Sequence, residues 1–94
     1  MPEKKWNVEL SDEALKYIKK LSKSSSSRIL DNLEMLETSE NPLDHKSVRP
    51  LVGKLRGFYR LRVGGLRILF ELDDKNKRIG VLLIVPRGNA CKKS

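Results

Sequence analysis

The chain predicts an α+β domain in which two N-terminal helices pack on one face of a small, mainly antiparallel sheet, in the order β-α-α-β-β-β. Three observations carry that expectation. Between residues 11 and 38, two stretches repeat apolar residues at helical spacing behind serine caps. Residues 59–72, YRLRVGGLRILFEL, alternate on both sides of Gly64-Gly65, which is the pattern of a tight hairpin. Residues 79–85, IGVLLIV, form an apolar run bounded by a turn signal and Pro86.

Residues 4–10, KKWNVEL, alternate Trp6, Val8 and Leu10 with polar neighbours and read as a half-buried first strand. Ser11 caps the first helix, and Asp12 and Glu13 complement the partial positive charge of its first turn. Ala14, Ile18 and Leu21, flanked by Leu15, form the buried stripe of that helix. The run SKSSSS, residues 22–27, is the one low-complexity patch. Serine hydroxyls compete with the backbone for hydrogen bonds, so the run is expected as a solvated connector that also caps the next helix. That second helix is expected near residues 28–38, where Ile29, Leu33 and Leu36 stand at i, i+4 and i+7. Asn41-Pro42 ends it.

Residues 42–57 show no clear period and contain two prolines and two glycines, so a basic loop is expected there. In the hairpin, a two-residue turn at Gly64-Gly65 would set Val63 opposite Leu66, Leu61 opposite Ile68 and Tyr59 opposite Phe70. One face is then apolar, while Arg60, Arg62 and Arg67 gather on the other and Arg62 faces Arg67. A turn over residues 73–77, centred on Lys75-Asn76, would pair Leu72 with Ile79 and Phe70 with Val81. It would also set Leu82 beside Leu69 and send Val81, Leu83 and Val85 into the core. Pro86 lacks an N–H and should end the last strand.

Composition bounds the function. With 94 residues, 38% of them hydrophobic, and only four prolines, the chain fits one globular domain spanning residues 1–94. The opening MPEKKW is too polar for a signal peptide, and no apolar run reaches the roughly 18–20 residues that span a bilayer. A soluble, cytoplasmic protein with no membrane partner is expected. One cysteine excludes an internal disulfide, and a single histidine leaves no credible zinc set, so neither metal nor cofactor is expected.

The formal net charge is +8, and it is unevenly spread. Residues 1–42 hold 7 Lys+Arg against 8 Asp+Glu, whereas residues 43–94 hold 13 against 4. No acid stands between His45 and Phe70, a segment with Lys46, Arg49, Lys54, Arg56, Arg60, Arg62 and Arg67. Such a balance favours a polyanion, above all nucleic acid, over a small neutral ligand. Like charges directly across a strand pair cost some tenths of a kcal/mol up to about 1, so the facing arginines suggest a bound anion. Strand arginines also occur as a plain solvated face whose stems cover apolar neighbours.

GKLRGFYRLRVGGLRILFEL followed by VLLIVPRGNACKK resembles the RelE/ParE superfamily of type II toxin-antitoxin toxins, most closely RelE. Members typically show a G-x-Y-R-L-R-x-G-x-Y-R-h-h-Y hairpin, with h hydrophobic, and end in a strand leading to a basic residue. The resemblance implies a RelE-like domain and a ribosome-dependent mRNA endoribonuclease that works in the A site and inhibits translation. It implies attack by the ribose 2′-hydroxyl without metal, and neutralisation by a RelB-like antitoxin with which the monomeric toxin forms a hetero-oligomer.

Carried over by position, Arg60 and Arg62 match basic cleft residues on the first strand of the hairpin motif, Arg67 the arginine after the turn, and Arg87 the basic residue after the last strand. Lys46, Arg49, Lys54 and Arg56 are candidates for RNA or ribosome contact. His45 and Cys91 are candidate proton carriers. Cys91 stands where many relatives have tyrosine; a thiol with pKa near about 8.5 transfers protons poorly and cannot stack on a base. Two other readings stay open at this point. One is a ParE-like toxin that inhibits DNA gyrase through protein contacts, and the other is a decayed toxin that only binds RNA or antitoxin.

Overall fold

The computed structural model describes residues 4–86. Its elements run β1 (Asn7–Leu10), α1 (Asp12–Lys20), α2 (Lys23–Thr38), β2 (Val48–Pro50), β3 (Phe58–Val63), β4 (Leu66–Asp73) and β5 (Arg78–Pro86), with single 3₁₀ turns at Pro42–Asp44 and Gly53–Leu55. One five-stranded sheet has the order β1-β5-β4-β3-β2. The β1–β5 pair is parallel and the other three are antiparallel. Both helices pack on one face, as expected for an α+β fold.

Local chemistry explains where the helices start. The Ser11 hydroxyl accepts from the Ala14 N–H at 3.0 Å, and Ser22 does the same for the Ser25 N–H at 3.2 Å. Each serine thereby satisfies an amide that a helix N-terminus leaves unpaired. The second cap corrects the expectation for the serine run. Only Ser22 is a cap, and α2 begins at Lys23, so Ser24 to Ser27 lie in its first turns rather than in a connector. Serine's modest helix penalty is outweighed because the same helix buries Ile29, Leu33 and Leu36.

The core forms between that stripe, Ala14 and Ile18 of α1, and the inner face of the sheet, where Leu61, Ile68, Phe70 and Ile79 are fully buried. Tyr59 and Phe70 face each other with ring centroids 5.8 Å apart. Trp6 is buried just before β1, and its indole N–H donates to the Glu40 carbonyl at 3.3 Å. Glu37 binds the same region from the end of α2: its carbonyl accepts from the Trp6 N–H and its carboxylate from the Val8 N–H.

The hairpin register is the one the alternation predicts, from Phe58 opposite Glu71 to Val63 opposite Leu66. The turn itself differs in one respect. Only Gly64 has a left-handed backbone, φ 59°, while Gly65 is ordinary, which is the pattern of a type II′ turn. The Arg28 guanidinium of α2 lies over Gly64, with Nη1 3.3 Å from where a Cβ would stand. Absence of a side chain there serves both the turn and the helix contact.

Two parts of the sheet depart from expectation. The first is an added strand: β2 lies in the segment read as loop, and it pairs Val48 with Leu61, Arg49 with Arg60 and Pro50 with Tyr59. Three residues that include a proline carry no period to read, and proline is tolerated because β2 is at the sheet edge. The second is a bulge. The ladder runs Phe70 with Val81 but Leu69 with Leu83, so Leu82 is an extra residue on β5. Beyond it every side chain changes face, and Ile84 is buried in the core in place of the expected Leu83 and Val85. The Leu82 carbonyl, displaced from the ladder, accepts a 2.6 Å hydrogen bond from the Ser11 hydroxyl.

At the far end of the sheet, Arg78 donates to Glu9 at 2.9 Å and to Asp73 at 3.4 Å, tying β1, β5 and β4 together. Asp73 is held below the usual carboxylate range chiefly by hydrogen bonds from the Asn76 side chain and backbone, with Arg78 adding to them.

The two turn glycines should respond differently to alanine. Gly64→Ala places a β-carbon on a left-handed residue, which costs roughly 1–2 kcal/mol, and crowds Arg28. Gly65→Ala meets nothing within 4 Å and should stay within about 0.5 kcal/mol of the parent. Urea unfolding of the two variants beside the parent measures the difference.

Candidate nucleic-acid interface

Strand periodicity fixes what the uncovered face of the sheet carries. With Leu61 and Val63 buried toward the helices, Arg60 and Arg62 point the other way, and the pairing of Arg62 with Arg67 puts a third guanidinium beside them. The bulge adds an apolar floor: Leu83 pairs with Leu69 and Val85 with Arg67, all on this face and half-buried. Arg67 is half-buried over that floor. Among the described residues its Nε is buried with no hydrogen-bond partner, and neither Arg62 nor Arg67 is in an ion pair.

The edge strand completes the cluster. Arg49 lies opposite Arg60, and a recess of about 210 Å³ between β2 and β3 is lined by Lys46, Ser47, Arg49, Arg60 and Arg62. No acid lines it. Arg49 is fixed by hydrogen bonds from Nη1 to the Lys46 and Val48 carbonyls at 3.1 and 3.2 Å. The Ser47 carbonyl accepts from the Arg62 N–H at 3.2 Å, which holds the two walls of the recess together.

His45 stands behind this wall. Its Nδ1 accepts from the Ser47 N–H at 3.0 Å, which leaves the ring N–H on Nε2, a buried atom with no partner among the described residues. The ring therefore supports Ser47 and does not line the recess. Lys54 and Arg56 are exposed at the 3₁₀ turn Gly53–Leu55 and do not line it either, so the structure brings together Lys46 and Arg49 from the candidate loop cations but leaves those two apart. Arg87 and Cys91 lie outside the described residues. Among the described residues no group of three or more His, Cys, Asp or Glu side chains could hold a metal ion, and no helix is long and apolar enough to cross a membrane.

Residues 8–90 match the family model for the ParE toxin of the type II toxin-antitoxin system, parDE. The chain belongs to this toxin family.

The toxin's fold is also that of several solved relatives. The RelBE2 toxin-antitoxin complex of Mycobacterium tuberculosis matches with a TM-score of 0.76 at 23% identity, covering 87% of this chain and 91% of that one. The archaeal RelE-RelB complex of Pyrococcus horikoshii matches at 0.75 and 29% identity, over 89% and 97% of the two chains. The isolated Escherichia coli RelE toxin matches at 0.65 and 19%, over 86% and 83%. Among curated proteins no sequence match is found. The chain is thus a toxin of a type II toxin-antitoxin system with the RelE/ParE fold.

Sequence reasoning located the arginines of this toxin's hairpin but missed Ser47 and the pairing of Arg49 with Arg60, because nothing in the loop announces β2. It also overlooked Phe58, although the same alternation that exposes Arg60 and Arg62 places Phe58 on their face.

If Arg62 and Arg67 repel across the strand pair, Arg67→Gln should raise stability at low salt by some tenths of a kcal/mol up to about 1. The gain should shrink as salt screens the charges. Added sulfate should raise the melting temperature of the parent more than that of the variant, which a thermal-shift titration measures.

Proposed function

We propose that this toxin is a metal-independent, ribosome-dependent mRNA endoribonuclease that cuts in the A site and so stops translation. The observation that carries the reading is the facing pair of Arg62 and Arg67 on the uncovered sheet face, with the Arg67 Nε without a hydrogen-bond partner among the described residues. A guanidinium binds phosphate bidentately and stays charged at any physiological pH. Held on neighbouring strands, two of them can grip one phosphodiester.

In the reaction, the 2′-hydroxyl oxygen bonds to the adjacent phosphorus and the bond to the 5′-oxygen breaks. The products are a 2′,3′-cyclic phosphate and a 5′-hydroxyl; one proton leaves the nucleophile and one reaches the leaving oxygen. Negative charge grows on the non-bridging oxygens during this transfer. Fixed cations stabilise that charge without reorganising, and losing one such donor commonly costs about 2.7–4 kcal/mol of barrier. Arginine cannot serve as the base, since its pKa exceeds about 12. Arg60, Arg62 and Arg67 therefore act as charge stabilisers, and Lys46 and Arg49 extend the grip along the nucleic-acid backbone. Arg87 joins the set by resemblance alone, and Lys54 and Arg56 are assigned to ribosome contact outside the recess.

The cationic face also suits an acidic, RelB-like antitoxin that would cover it and keep the monomeric toxin inactive in a hetero-oligomer in the cytoplasm. The relatives above whose structures are RelB complexes support that partner. A second reading is favoured by the ParE family match itself: inhibition of DNA gyrase through protein contacts, with no catalytic residue.

Primer-extension mapping of transcripts after induction separates the two. Cuts within ribosome-bound messages are expected, with Arg67→Ala and Arg87→Ala each reducing them at least about tenfold while circular dichroism stays unchanged. Equal cutting by both variants would remove the catalytic assignment. Uncut messages together with loss of supercoiling by purified gyrase would transfer the toxin to the second reading.

A further inference from the structure

The toxin has five aromatic residues, Trp6, Tyr17, Phe58, Tyr59 and Phe70. Four of them belong to the core or pack against it; Phe58 does neither. It opens β3, on the face that Arg60 and Arg62 share, and it is only half-buried. Its cross-strand neighbour is Glu71 on β4. That side chain leans away: Glu71 Cγ and Oε2 lie 3.3 Å from where a Cβ of Gly80 would stand, over β5 on the far side from Phe58. A glycine on β5 thus gives the carboxylate somewhere to lie other than against the ring.

Phe58 and Arg60 are two residues apart on one strand, about 6.6 Å at the usual rise of ~3.3 Å per residue. That is the reach of one nucleotide from its phosphate to its base. Single-stranded nucleic acid is held by this combination, a cationic track for the backbone with an aromatic ring on which an unpaired base stacks. We propose that Phe58 is the base-stacking platform of the toxin, receiving the base of the nucleotide whose phosphate lies at Arg60. The inference rests on the nucleic-acid reading of this face and adds to it a contact to a base. Stacking on a phenyl ring tolerates any base, so the subsite selects an unpaired nucleotide rather than a particular one.

The test uses the purified full chain and a labelled 2′-O-methyl RNA oligonucleotide, which lacks the attacking hydroxyl, followed by fluorescence anisotropy. A probe of equal charge with abasic sites is measured beside it. The parent should prefer the complete probe by at least about fivefold, the lower end expected of one stacked base. Phe58→Leu should lose that preference and keep the salt dependence of binding; Phe58→Tyr should keep both. Arg62→Gln should flatten the salt dependence and keep the preference.

A Phe58→Leu variant that retains the preference overturns the platform while the salt dependence of Arg62→Gln still upholds the nucleic-acid reading. No binding of either probe by the parent, or an unchanged salt dependence in Arg62→Gln, overturns both. A check that needs no variant is photocrosslinking of a 4-thiouridine probe to the parent. The adduct is expected on the peptide containing Phe58, and adducts found only elsewhere overturn the proposal.

Discussion

The structure depends on one constraint, the side-chain alternation of the β3–β4 hairpin locked in register by its turn. Burying Leu61, Val63, Ile68 and Phe70 against the helices leaves no freedom for Arg60, Arg62 and Arg67, which must point together to the other side. A slip of one residue would drive three guanidinium groups into the core. The energy that fixes the cation cluster is therefore the hydrophobic burial on the opposite face, and Gly64 with Arg28 over it holds the turn that sets the phase. Repulsion within the cluster is small beside that burial, so the fold can carry it.

Much of this was legible because alternation and caps are local signals. The facing of Arg62 and Arg67 follows from YRLRVGGLRIL alone, and Ser11 was readable as a cap from its place before two acids. What escaped the sequence depends on tertiary context. The serines after Ser22 enter α2 because that helix has a core to cover. The bulge at Leu82 arises inside an unbroken apolar run, IGVLLIV, where no polar residue marks the change of face. β2 exists because β3 offers an unpaired edge, and residues 48–50 meet it without any pattern of their own.

The bulge and the edge strand together shape the candidate site. By turning Leu83 and Val85 outward, the bulge gives Arg67 a low-polarity floor, where an unpaired guanidinium is worth more to an incoming phosphate than it would be in water. By bringing Lys46 and Arg49 beside Arg60 and Arg62, β2 extends the positive potential across the sheet. At the other end of the same sheet Arg78 is paired with Glu9 and Asp73, which raise its already high pKa, so a polyanion would have to compete there with two carboxylates. At the arginine end, by contrast, Arg62 and Arg67 have no ion pair among the described residues, and that contrast with Arg78 marks this end as a binding surface.

At the centre stands the claim that Arg62 and Arg67 bind one phosphodiester together. Nitrogen-detected NMR of the arginine Nε–H groups, during titration with a non-cleavable RNA, tests it most directly. Shared binding predicts that Arg62 and Arg67 shift in parallel along one isotherm while Arg78 stays in place. Independent isotherms for the two, or shifts led by Arg78 and the residues around it, would contradict it.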